Sequence, residues 1–431
     1  MRKAIGIGLL GLGTVGSDVA EALTVKSDSL AEQAGLPLVL KKVLVRDPHK
    51  RRTIKVNRRL LTTRAEDVLR HPEVDIVIEL IGGEHPAREY MEDAITAGKH
   101  VVTANKEVIA KHGYELFTLA KKQNVSIRYE ASVGSGIPLV SPFQHDLAAN
   151  RISAIRAILN GTTNYILTRM AQEGLDFAST LKHAQELGYA EANPANDIDG
   201  IDAAYKLVIL SNLAFRTRFV PEHVYCEGIR NIAARDFMYA HEFGYAIKLL
   251  AIAKRDDDKV EMRVHPVFIP KDFQLAKVDG VYNAIEVETD LAGKLLFYGE
   301  GAGGLRASSA VLADVLAIAR NIRAGVNSAP EPRVNPAITA KPMSEVKTRY
   351  YLRLNAPDRP GVLAQISRVL GDNSISIASV IQKESDPATQ TAIIVIMTYP
   401  AQEKAMQKAL KQLRRLPEVN EISSFIRVEE S

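Results

Sequence analysis

One short glycine-rich segment limits the fold of this chain more than any other feature of its sequence. The segment reads Gly11-Leu12-Gly13-Thr14-Val15-Gly16, and it lies between an apolar run over residues 4–10 and an amphipathic stretch over residues 15–24. In the first turn of a βαβ unit, glycines at this spacing allow a tight turn, close approach of the backbone to a pyrophosphate, and close packing of helix on strand. Because a strand pattern precedes it and a helix pattern follows it, the segment predicts a dinucleotide site more strongly than a purely structural turn.

Apolar strands alternate with amphipathic helices through the first 130 residues. The predicted strands cover residues 4–10, 38–45, 74–80, 100–103 and 125–129, and the predicted helices cover residues 15–24, 65–69, 87–97 and 107–122. This alternation is typical of a parallel sheet with helices on both faces. We therefore predict an α/β fold with a Rossmann-type domain over residues 1–130.

The remaining residues predict two further domains. Residues 131–323 mix strand-like and helical patterns, which indicates an α+β domain. Residues 324–345 contain four prolines and predict a linker. Residues 346–431 follow the order βαββαβ of a ferredoxin-like module, with strands at 349–355, 374–382, 391–398 and 419–428 and helices at 362–370 and 402–412.

Composition excludes several classes of protein. The 55 Lys and Arg residues nearly balance the 51 Asp and Glu residues, so a dedicated nucleic-acid binder is not expected. No apolar run approaches the roughly 18 residues of a membrane helix, and the N-terminal apolar run has no signal-peptidase site. A single cysteine, Cys226, suits a reducing compartment, so we expect a cytoplasmic protein without membrane contacts.

The residues after the second predicted strand bear on the choice of cofactor. An acidic residue there would accept the ribose 2′-hydroxyl of NAD, whereas an arginine would accept the 2′-phosphate of NADP. Arg46 comes first and Asp47 second, and a basic run over residues 50–59 follows. The sequence favours NADP and leaves NAD open, and the basic run is equally well explained as a solvated loop.

Three further segments are candidates for cofactor or cation contacts. Thr103-Ala104-Asn105-Lys106 follows the fourth strand, where Lys106 would project toward the nicotinamide or would simply be a surface lysine at a helix start. In residues 130–138, Glu130 and the backbone carbonyls of a glycine-rich turn could hold a hard cation. A tight turn without a cation is the alternative. The glycines of residues 299–304 could close over the cofactor or cap the following helix.

The richest cluster of charged residues lies between Gly188 and Lys206. Asp202 and Lys206 stand four residues apart at the start of an apolar helix and therefore share one face, and the preceding loop carries Glu191, Asp197 and Asp199. Several carboxylates with one lysine suit a polar substrate that bears an ammonium group. An ordinary surface ion pair between Asp202 and Lys206 is the alternative.

Taken in order, these motifs resemble those of the homoserine dehydrogenase family. The resemblance covers residues 1–325 and includes the segment Asn160-Gly161-Thr162-Thr163-Asn164-Tyr165-Ile166. It implies an enzyme that interconverts L-aspartate 4-semialdehyde and L-homoserine with NADPH or NADH, on the route to threonine, methionine and isoleucine. It also implies that residues 131–323 form a catalytic and dimerisation domain.

The resemblance further implies a role for individual residues. Lys206 corresponds to the proton donor, and Lys106 to a second catalytic lysine that contacts cofactor and substrate. Glu191, Asp197 and Asp202 correspond to residues that bind the substrate together with Lys206. Cofactor contacts are implied for the first glycine segment, Thr103 and Gly303, and a monovalent-cation site, for sodium, is implied for Glu130, Val133, Ser135 and Ile137.

Residues 346–431 resemble an ACT domain, which in this family usually means feedback inhibition by threonine. The implied ligand contacts are Asp358, Pro360, Gly361, Val362, Leu363, Asn373 and Ile375. The family also implies a homodimer or homotetramer, and the chain length leaves no room for an additional kinase domain, so we expect a monofunctional enzyme. Another amino-acid dehydrogenase, or an amino-acid sensor with a vestigial catalytic half, are the alternatives; intact Lys106, Glu191, Asp202 and Lys206 argue against the sensor.

Overall fold

The computed structural model describes residues 3–52, 54, 56–326, 334–386 and 388–430. Part of the predicted linker, including Pro330 and Pro332, lies outside the described residues. The chain forms two compact units: residues 1–152, 205–221 and 289–336 make up the first, and residues 153–204, 222–288 and 337–431 the second.

The strands and helices are as follows in chain order. The strands are β1 (Ile5–Leu10), β2 (Leu38–Leu44), β3 (Leu61–Thr62), β4 (Ile76–Glu79), β5 (His100–Thr103), β6 (Ile127–Arg128), β7 (Ile152–Ile158), β8 (Tyr225–Cys226), β9 (Tyr245–Asp256), β10 (Lys259–Pro270), β11 (Tyr282–Thr289), β12 (Lys294–Glu300), β13 (Thr339–Lys341), β14 (Lys347–Pro357), β15 (Ile377–Asp386), β16 (Thr391–Thr398), β17 (Ala401–Gln402) and β18 (Glu421–Val428). The helices are α1 (Thr14–Val25), α2 (Ser27–Ala34), α3 (Glu66–Leu69), α4 (Ala87–Thr96), α5 (Lys106–Lys122), α6 (Val140–Gln144), α7 (Gly161–Glu173), α8 (Phe177–Glu186), α9 (Ala195–Ile198), α10 (Ile201–Phe215), α11 (Ala234–Glu242), α12 (Gly304–Arg323), α13 (Val362–Asp372) and α14 (Glu403–Leu413).

The first unit contains a parallel sheet of six strands in the order β3-β2-β1-β4-β5-β6. Strand β1 is buried on both faces: Ile5, Ile7 and Leu9 pack in a core with α1, α2 and α12, and Leu10 packs with α3, α4 and α5. Each such aliphatic side chain contributes about 1.5–3 kcal/mol when fully buried. Double-sided burial explains why β1 reads as a continuous apolar run, and the six-stranded parallel sheet confirms the predicted Rossmann-type fold class.

The second unit contains a mixed sheet. Its strands run β11-β7-β9-β10-β18-β14-β16-β15, with β8 and β13 paired to β10 and β17 paired to β14. The predicted βαββαβ order is present as β14, α13, β15, β16, α14 and β18. Strand β18 runs antiparallel to β14 and also parallel to β10, through the pairs Val267–Arg427 and Phe268–Val428. The C-terminal module therefore shares one hydrogen-bonded sheet with the strands that precede it.

A buried ionic cluster accompanies this junction of strands. The Glu429 carboxylate, at the end of β18, contacts Arg156 on β7, Lys254 on β9 and Arg263 on β10. Both Glu429 and Arg263 are 2% exposed. Burial by itself would raise the pKa of Glu429, but the positive charges of Arg263, Lys254 and Arg156 hold it at about 2.

Two differences from the predicted elements have simple causes. Strand β3 has two residues and helix α2 buries only Leu30 and Ala34, so neither carries a periodic apolar pattern long enough to predict it. The predicted linker contains the strand β13, which pairs with β10. This strand was not predicted because short, proline-flanked strands are hard to distinguish from linkers by composition. Within the described parts of the chain, none of the helices has the length and apolar character that crossing a bilayer requires.

Candidate active site

The first glycine turn has the geometry of a dinucleotide-binding turn. Gly11 has φ +97°, and a Cβ atom added there would lie 2.7 Å from the carbonyl oxygen of Leu80. A Cβ at Gly16 would collide with the carbonyl oxygen of Gly11, whereas a Cβ at Gly13 would meet nothing within 4 Å. Two glycines thus permit the turn and the packing of α1, and the third leaves open space at the N-terminus of α1. This arrangement fits a pyrophosphate.

The second glycine turn lies beside the first. Gly303 has φ +128° and precedes α12, and Gly304 is so close to α1 that an added Cβ would lie 2.9 Å from the Thr14 side chain and collide with Asp18. Two helix N-termini, those of α1 and α12, therefore meet at one place. Since helix N-termini carry partial positive charge, the pair strengthens a site for an anionic cofactor.

Arg46 lies next to the same turn. The backbone N–H of Gly11 donates to the carbonyl oxygen of Leu44 at 3.0 Å, and the Arg46 side chain is exposed two residues further along. The Asp47 carboxylate accepts a hydrogen bond from the His49 backbone N–H at 2.8 Å. Asp47 is thus engaged in its own turn, and Arg46 is the exposed charged side chain nearest in sequence to the end of β2.

A buried carboxylate fixes the loops around Lys106. Glu79 accepts hydrogen bonds from the Thr103 hydroxyl at 2.6 Å and from the Ile81 backbone N–H at 2.7 Å. Asn105 caps α5 by accepting from the Val108 N–H at 3.1 Å, and its amide donates to the carbonyl oxygen of Gly83 at 2.7 Å. These bonds tie the carboxyl ends of β4 and β5 together, where Lys106 begins α5. Glu79 was not predicted as a site residue, although its position at the end of a predicted strand was a usable signal.

The residues adjacent to Lys106 and Lys206 contact each other. Tyr205 donates to Glu107 at 3.4 Å, and Lys111 lies 2.8 Å from Glu107 and 2.7 Å from Glu84. Hydrogen bonds from Lys111 and from the His112 ring lower the pKa of Glu84 to about 2. Because Glu107 follows Lys106 and Tyr205 precedes Lys206, the structure brings the chain segments that carry the two predicted catalytic lysines together. Lys206 itself is 8% exposed.

Two of the predicted substrate carboxylates meet at Asn160. The Asn160 amide nitrogen donates to Asp197 at 2.7 Å and to Asp202 at 3.1 Å. Asp202 is 4% exposed and lies in the first turn of α10, the helix that also carries Lys206. Asn160 begins the segment of residues 160–166 that resembles the family, but it was not predicted as a site residue. Its place directly after a strand and before a helix was the available signal.

The other acidic residues of the loop are arranged differently. The Glu191 side chain is exposed, and its backbone carbonyl accepts from the Gln185 amide at 3.0 Å. Asp199 forms two hydrogen bonds with Arg230, at 2.5 and 3.0 Å. The structure therefore groups Asp197 with Asp202, and it gives Asp199 a partner of its own.

The predicted cation turn contains a buried carboxylate with three donors. Glu130 accepts from the backbone N–H groups of Leu139 at 2.6 Å, Val140 at 2.8 Å and Ser141 at 2.8 Å. The Ser135 hydroxyl is buried and makes no hydrogen bond to the described residues, and Ser135 has φ +55°. An unpartnered buried oxygen is compatible with a cation held by this turn.

A buried aspartate is hydrogen-bonded to the predicted cation turn. Asp314 on α12 accepts a hydrogen bond from the Glu130 backbone N–H at 2.7 Å. Burial raises the pKa of Asp314 to about 7.

The predicted regulatory residues fall into two groups. Gly361 has φ +90° and is the N-cap of α13, and Asp358, Pro360, Val362 and Leu363 lie beside it in the sequence. Asn373 and Ile375 lie past the other end of α13, about 16 Å away for a helix of 11 residues. Asn373 donates to Gln412 at 2.5 Å and so holds α13 to α14. Within one chain, the two groups cannot contact the same small ligand.

Comparison with known families agrees with this arrangement. The model described as the homoserine dehydrogenase NAD binding domain matches residues 11–130, the homoserine dehydrogenase model matches residues 138–316, and the ACT domain model matches residues 350–418.

Individual proteins match over nearly the whole chain. The homoserine dehydrogenase of Neisseria gonorrhoeae (strain ATCC 700825 / FA 1090) is 43% identical over 432 residues, which cover 99% of each chain. The crystal structure of a homoserine dehydrogenase from Thiobacillus denitrificans has a TM-score of 0.92 and 42% identity, again with 99% of each chain covered. A hyperthermophilic archaeal homoserine dehydrogenase in complex with NADPH has a TM-score of 0.63 and 27% identity, and the match covers 77% of this chain and 100% of that one. The chain therefore belongs to the homoserine dehydrogenase family of oxidoreductases, with an NAD(P)-binding domain, a catalytic domain and a C-terminal ACT domain.

Proposed function

We propose that this homoserine dehydrogenase interconverts L-homoserine and L-aspartate 4-semialdehyde at Lys206 and Lys106, in the biosynthesis of threonine, methionine and isoleucine. The observation that carries the proposal is the Asp197–Asn160–Asp202 cluster, in which Asp202 lies on α10, the helix that also carries Lys206. Two adjacent carboxylates suit the ammonium group of an amino-acid substrate, and a lysine suits the oxygen on which charge develops.

Each residue has one proposed task. Lys206 donates a proton to the carbonyl oxygen of the aldehyde, and Lys106 contacts cofactor and substrate. Glu191 and Asp202 bind the substrate ammonium and hold the lysine network in place, and Asp197 supports them. The glycine turns would hold the pyrophosphate of the cofactor, whose reduced nicotinamide would supply the hydride. A lysine that neutralises and then protonates the developing alkoxide is a general acid, and such groups contribute about 10²–10⁴-fold to a rate.

The test of this function is a nicotinamide absorbance assay with the full chain. We expect reduction of NADP that requires L-homoserine, and oxidation of NADPH that requires aspartate 4-semialdehyde. Silence in both directions with both cofactors would contradict the proposal and would favour another amino-acid dehydrogenase or a sensor.

We also propose NADP as the preferred cofactor, with NAD as the weaker alternative. The exposed Arg46 beside the first glycine turn supports this preference, as does the NADPH bound in the archaeal relative. Thr103, at the end of β5, and Gly303, beside α1, are the further proposed contacts.

Replacing Arg46 by alanine tests the cofactor preference. A hydrogen bond between charged groups is worth about 1.5–3 kcal/mol, so we expect KM for NADPH to rise by about 10- to 100-fold. KM for NADH should change by less than about 2-fold, because NADH offers no 2′-phosphate to Arg46. Lys50→Ala, in the same exposed loop, is the matched control and should affect neither cofactor. Equal losses for NADPH and NADH in Arg46→Ala would remove the reason for favouring NADP.

The turn at Glu130, Val133, Ser135 and Ile137 is the proposed sodium site, supported by the unpartnered hydroxyl of Ser135. Backbone carbonyls favour a hard cation, and such a cation would stabilise the folded protein by binding it. Thermal unfolding measured in sodium chloride and in tetramethylammonium chloride at equal ionic strength checks this. Identical midpoints would contradict the site.

Threonine is the proposed inhibitor at the ACT domain, with the turn at Asp358, Pro360, Gly361, Val362 and Leu363 as the first contact region and Asn373 and Ile375 as the second. The start of α13, with Gly361 at φ +90°, offers backbone N–H groups to an amino-acid carboxylate. Because the two regions lie at opposite ends of α13, one ligand could touch both only if two copies of the chain contribute one region each. Homoserine oxidation with added threonine tests inhibition, and unchanged rates at millimolar threonine would contradict it.

The assembly and domain limits are also proposals. We propose a homodimer or homotetramer, and domains at 1–130, 131–323 and 346–431 joined by residues 324–345. The family matches over 11–130, 138–316 and 350–418 support these limits. Sedimentation analysis tests the assembly, and a monomer at assay concentration would contradict it. Limited proteolysis tests the domain limits, and a first cut outside residues 324–345 would count against them.

The single cysteine supports a cytoplasmic location, which cell fractionation tests.

A further inference from the structure

Asn160 uses every hydrogen-bonding group of its side chain. Its Oδ1 accepts from the backbone N–H of Thr163 at 2.9 Å and from the Thr163 hydroxyl at 3.1 Å. Its Nδ2 donates to Asp197 Oδ1 at 2.7 Å and to Asp202 Oδ2 at 3.1 Å. The opposite orientation of the amide would place its oxygen against two carboxylates and its NH2 against an N–H donor, so the partners fix the orientation.

The two carboxylates that Asn160 contacts come from different helices. Asp197 is on the short helix α9 and Asp202 is in the first turn of α10. Like charges at such proximity repel, and a donor placed between them offsets this repulsion. Each carboxylate gives Asn160 one of its two oxygens. The amide therefore sets the distance and orientation of one carboxylate relative to the other.

Asn160 is itself held firmly from the opposite side. The next residue, Gly161, packs so closely on the loop before β11 that an added Cβ would lie 2.7 Å from the carbonyl oxygen of Val281. Asn164, one turn further along α7, donates to the carbonyl oxygens of Val278 at 3.0 Å and Tyr282 at 3.1 Å. The buried Lys248 donates to the same Val278 carbonyl at 2.5 Å. The start of α7 is thus anchored, and Asn160 projects its NH2 group from a fixed position.

We infer that Asn160 is a positioning residue for homoserine binding: its amide donor holds the Asp197 and Asp202 carboxylates in the arrangement that receives the substrate ammonium. The inference rests on the proposed role of these two carboxylates. It assigns no chemical step to Asn160 and does not require the side chain to contact substrate.

Asn160→Asp separates this role from helix capping. Aspartate is as good an N-cap as asparagine, so the acceptor to Thr163 is retained, but the donor becomes a third carboxylate oxygen. At pH 9 we expect KM for homoserine to rise by about 10- to 100-fold, the factor that corresponds to loss of hydrogen bonds to charged groups. The kcat at saturating homoserine and KM for NADP should change little, whereas the thermal midpoint at pH 9 should fall because three carboxylates then lie together.

The pH dependence is the readout that a purely structural role would not produce. Among the described residues, the titratable groups hydrogen-bonded to the Asn160 side chain are Asp197 from α9 and Asp202 from α10, and Lys206 follows four residues after Asp202 on α10. A proton bound among the three carboxyl groups of the variant restores a donor. The ratio of the variant KM to the native KM should therefore fall by at least about 3-fold between pH 9 and pH 6.5, since one hydrogen bond to a charged group is at stake. A ratio that does not change with pH would overturn the inference.

Asn150→Asp is the matched control. The Asn150 Oδ1 also accepts a backbone N–H, that of Ala292, at 3.0 Å, and the substitution adds the same charge outside the proposed substrate cluster. We expect native KM values at both pH values. A rise in KM equal to that of Asn160→Asp would show a general charge effect and would overturn the inference.

Asp202→Asn, measured in parallel, separates failure of the inference from failure of the proposed site. If Asp202→Asn raises KM for homoserine and Asn160→Asp does not, Asn160 is not a positioning residue and the proposed site stands. If neither variant changes KM, the proposed carboxylate site is wrong and the inference falls with it. Should Asn160→Asp fail to fold, Asn160→Ser keeps a capping hydroxyl without the amide, and native homoserine binding by that variant would overturn the inference.

Discussion

Replacing Lys206 by alanine is expected to lower kcat for homoserine oxidation by about 10²–10⁴-fold, the range for loss of a general acid or base. The side chain is 8% exposed, and it lies four residues after Asp202 on α10. In the enclosed position of Lys206, a lost ammonium would not be replaced by bulk solvent, so charge on the substrate oxygen would go uncompensated. NADPH affinity, measured by quenching or enhancement of nicotinamide fluorescence, should remain within about 3-fold of the native value, because the proposed role of Lys206 is toward the substrate.

Two other variants make the Lys206 result specific. Lys182→Ala removes an exposed lysine of α8 whose side chain is 79% exposed, and it should leave kcat unchanged. Lys106→Ala should lower kcat and also weaken NADPH binding. This second effect would distinguish a lysine that contacts the cofactor from one that does not. Normal turnover by Lys206→Ala would contradict the role of Lys206 as proton donor. Normal turnover and normal NADPH binding by Lys106→Ala would contradict the role of Lys106 as a catalytic lysine that contacts the cofactor.

Replacing Glu429 by glutamine is expected to lower the free energy of unfolding by about 3–5 kcal/mol at pH 7, the cost of removing one partner from a buried ion pair. Glu429 lies 2.7 Å from Arg263 and 3.2 Å from Arg156, and it also contacts Lys254. Glutamine keeps the size of the side chain but leaves the buried Arg263 with Glu261 as its remaining carboxylate partner. Urea unfolding at pH 7 measures the effect. The surface pair variant Glu345→Gln, which removes the partner of the half-exposed Lys259, should cost less than about 1 kcal/mol.

The Glu429 effect should also depend on pH in a defined direction. Its pKa of about 2 in the folded protein lies below the value of about 4.3 for an unperturbed glutamate. A depressed folded-state pKa stabilises the protein at pH values above the unfolded pKa, and this stabilisation is lost as the pH falls through about 4.3 toward 2. The difference between the native protein and Glu429→Gln should therefore be constant from pH 7 to pH 5 and should shrink below that. A difference that grows on acidification would contradict this account.

Glu429 lies where the C-terminal module joins the preceding strands. It follows β18, the strand that joins the C-terminal module to β10, and its partners lie on β7, β9 and β10. We therefore expect the C-terminal module to unfold together with the adjoining sheet. Two well-separated unfolding transitions would show that the junction between β10 and β18 contributes little to stability.

The sequence by itself determined the features that depend on neighbouring residues. The segment Gly11–Gly16 specified a turn that only glycines can form, because φ +97° at Gly11 and the contact of Gly16 with the Gly11 carbonyl both arise within one turn. Apolar runs specified β1, β4 and β5 because strands buried on two faces need continuous apolar side chains. The same local patterns predicted the βαββαβ module and placed Asp202 and Lys206 on one helix.

Tertiary structure alone decided which distant side chains meet. Asn160 contacts carboxylates 37 and 42 residues away, Glu79 contacts a hydroxyl 24 residues away, and Glu429 contacts Arg156 273 residues away. No local pattern encodes such pairs, because each depends on how strands and helices pack after they form. Local chemistry in the sequence thus specified the secondary structure and the candidate catalytic residues. The packing of separate elements decided which donor faces which carboxylate, because a buried charge must find its partner wherever the fold places it.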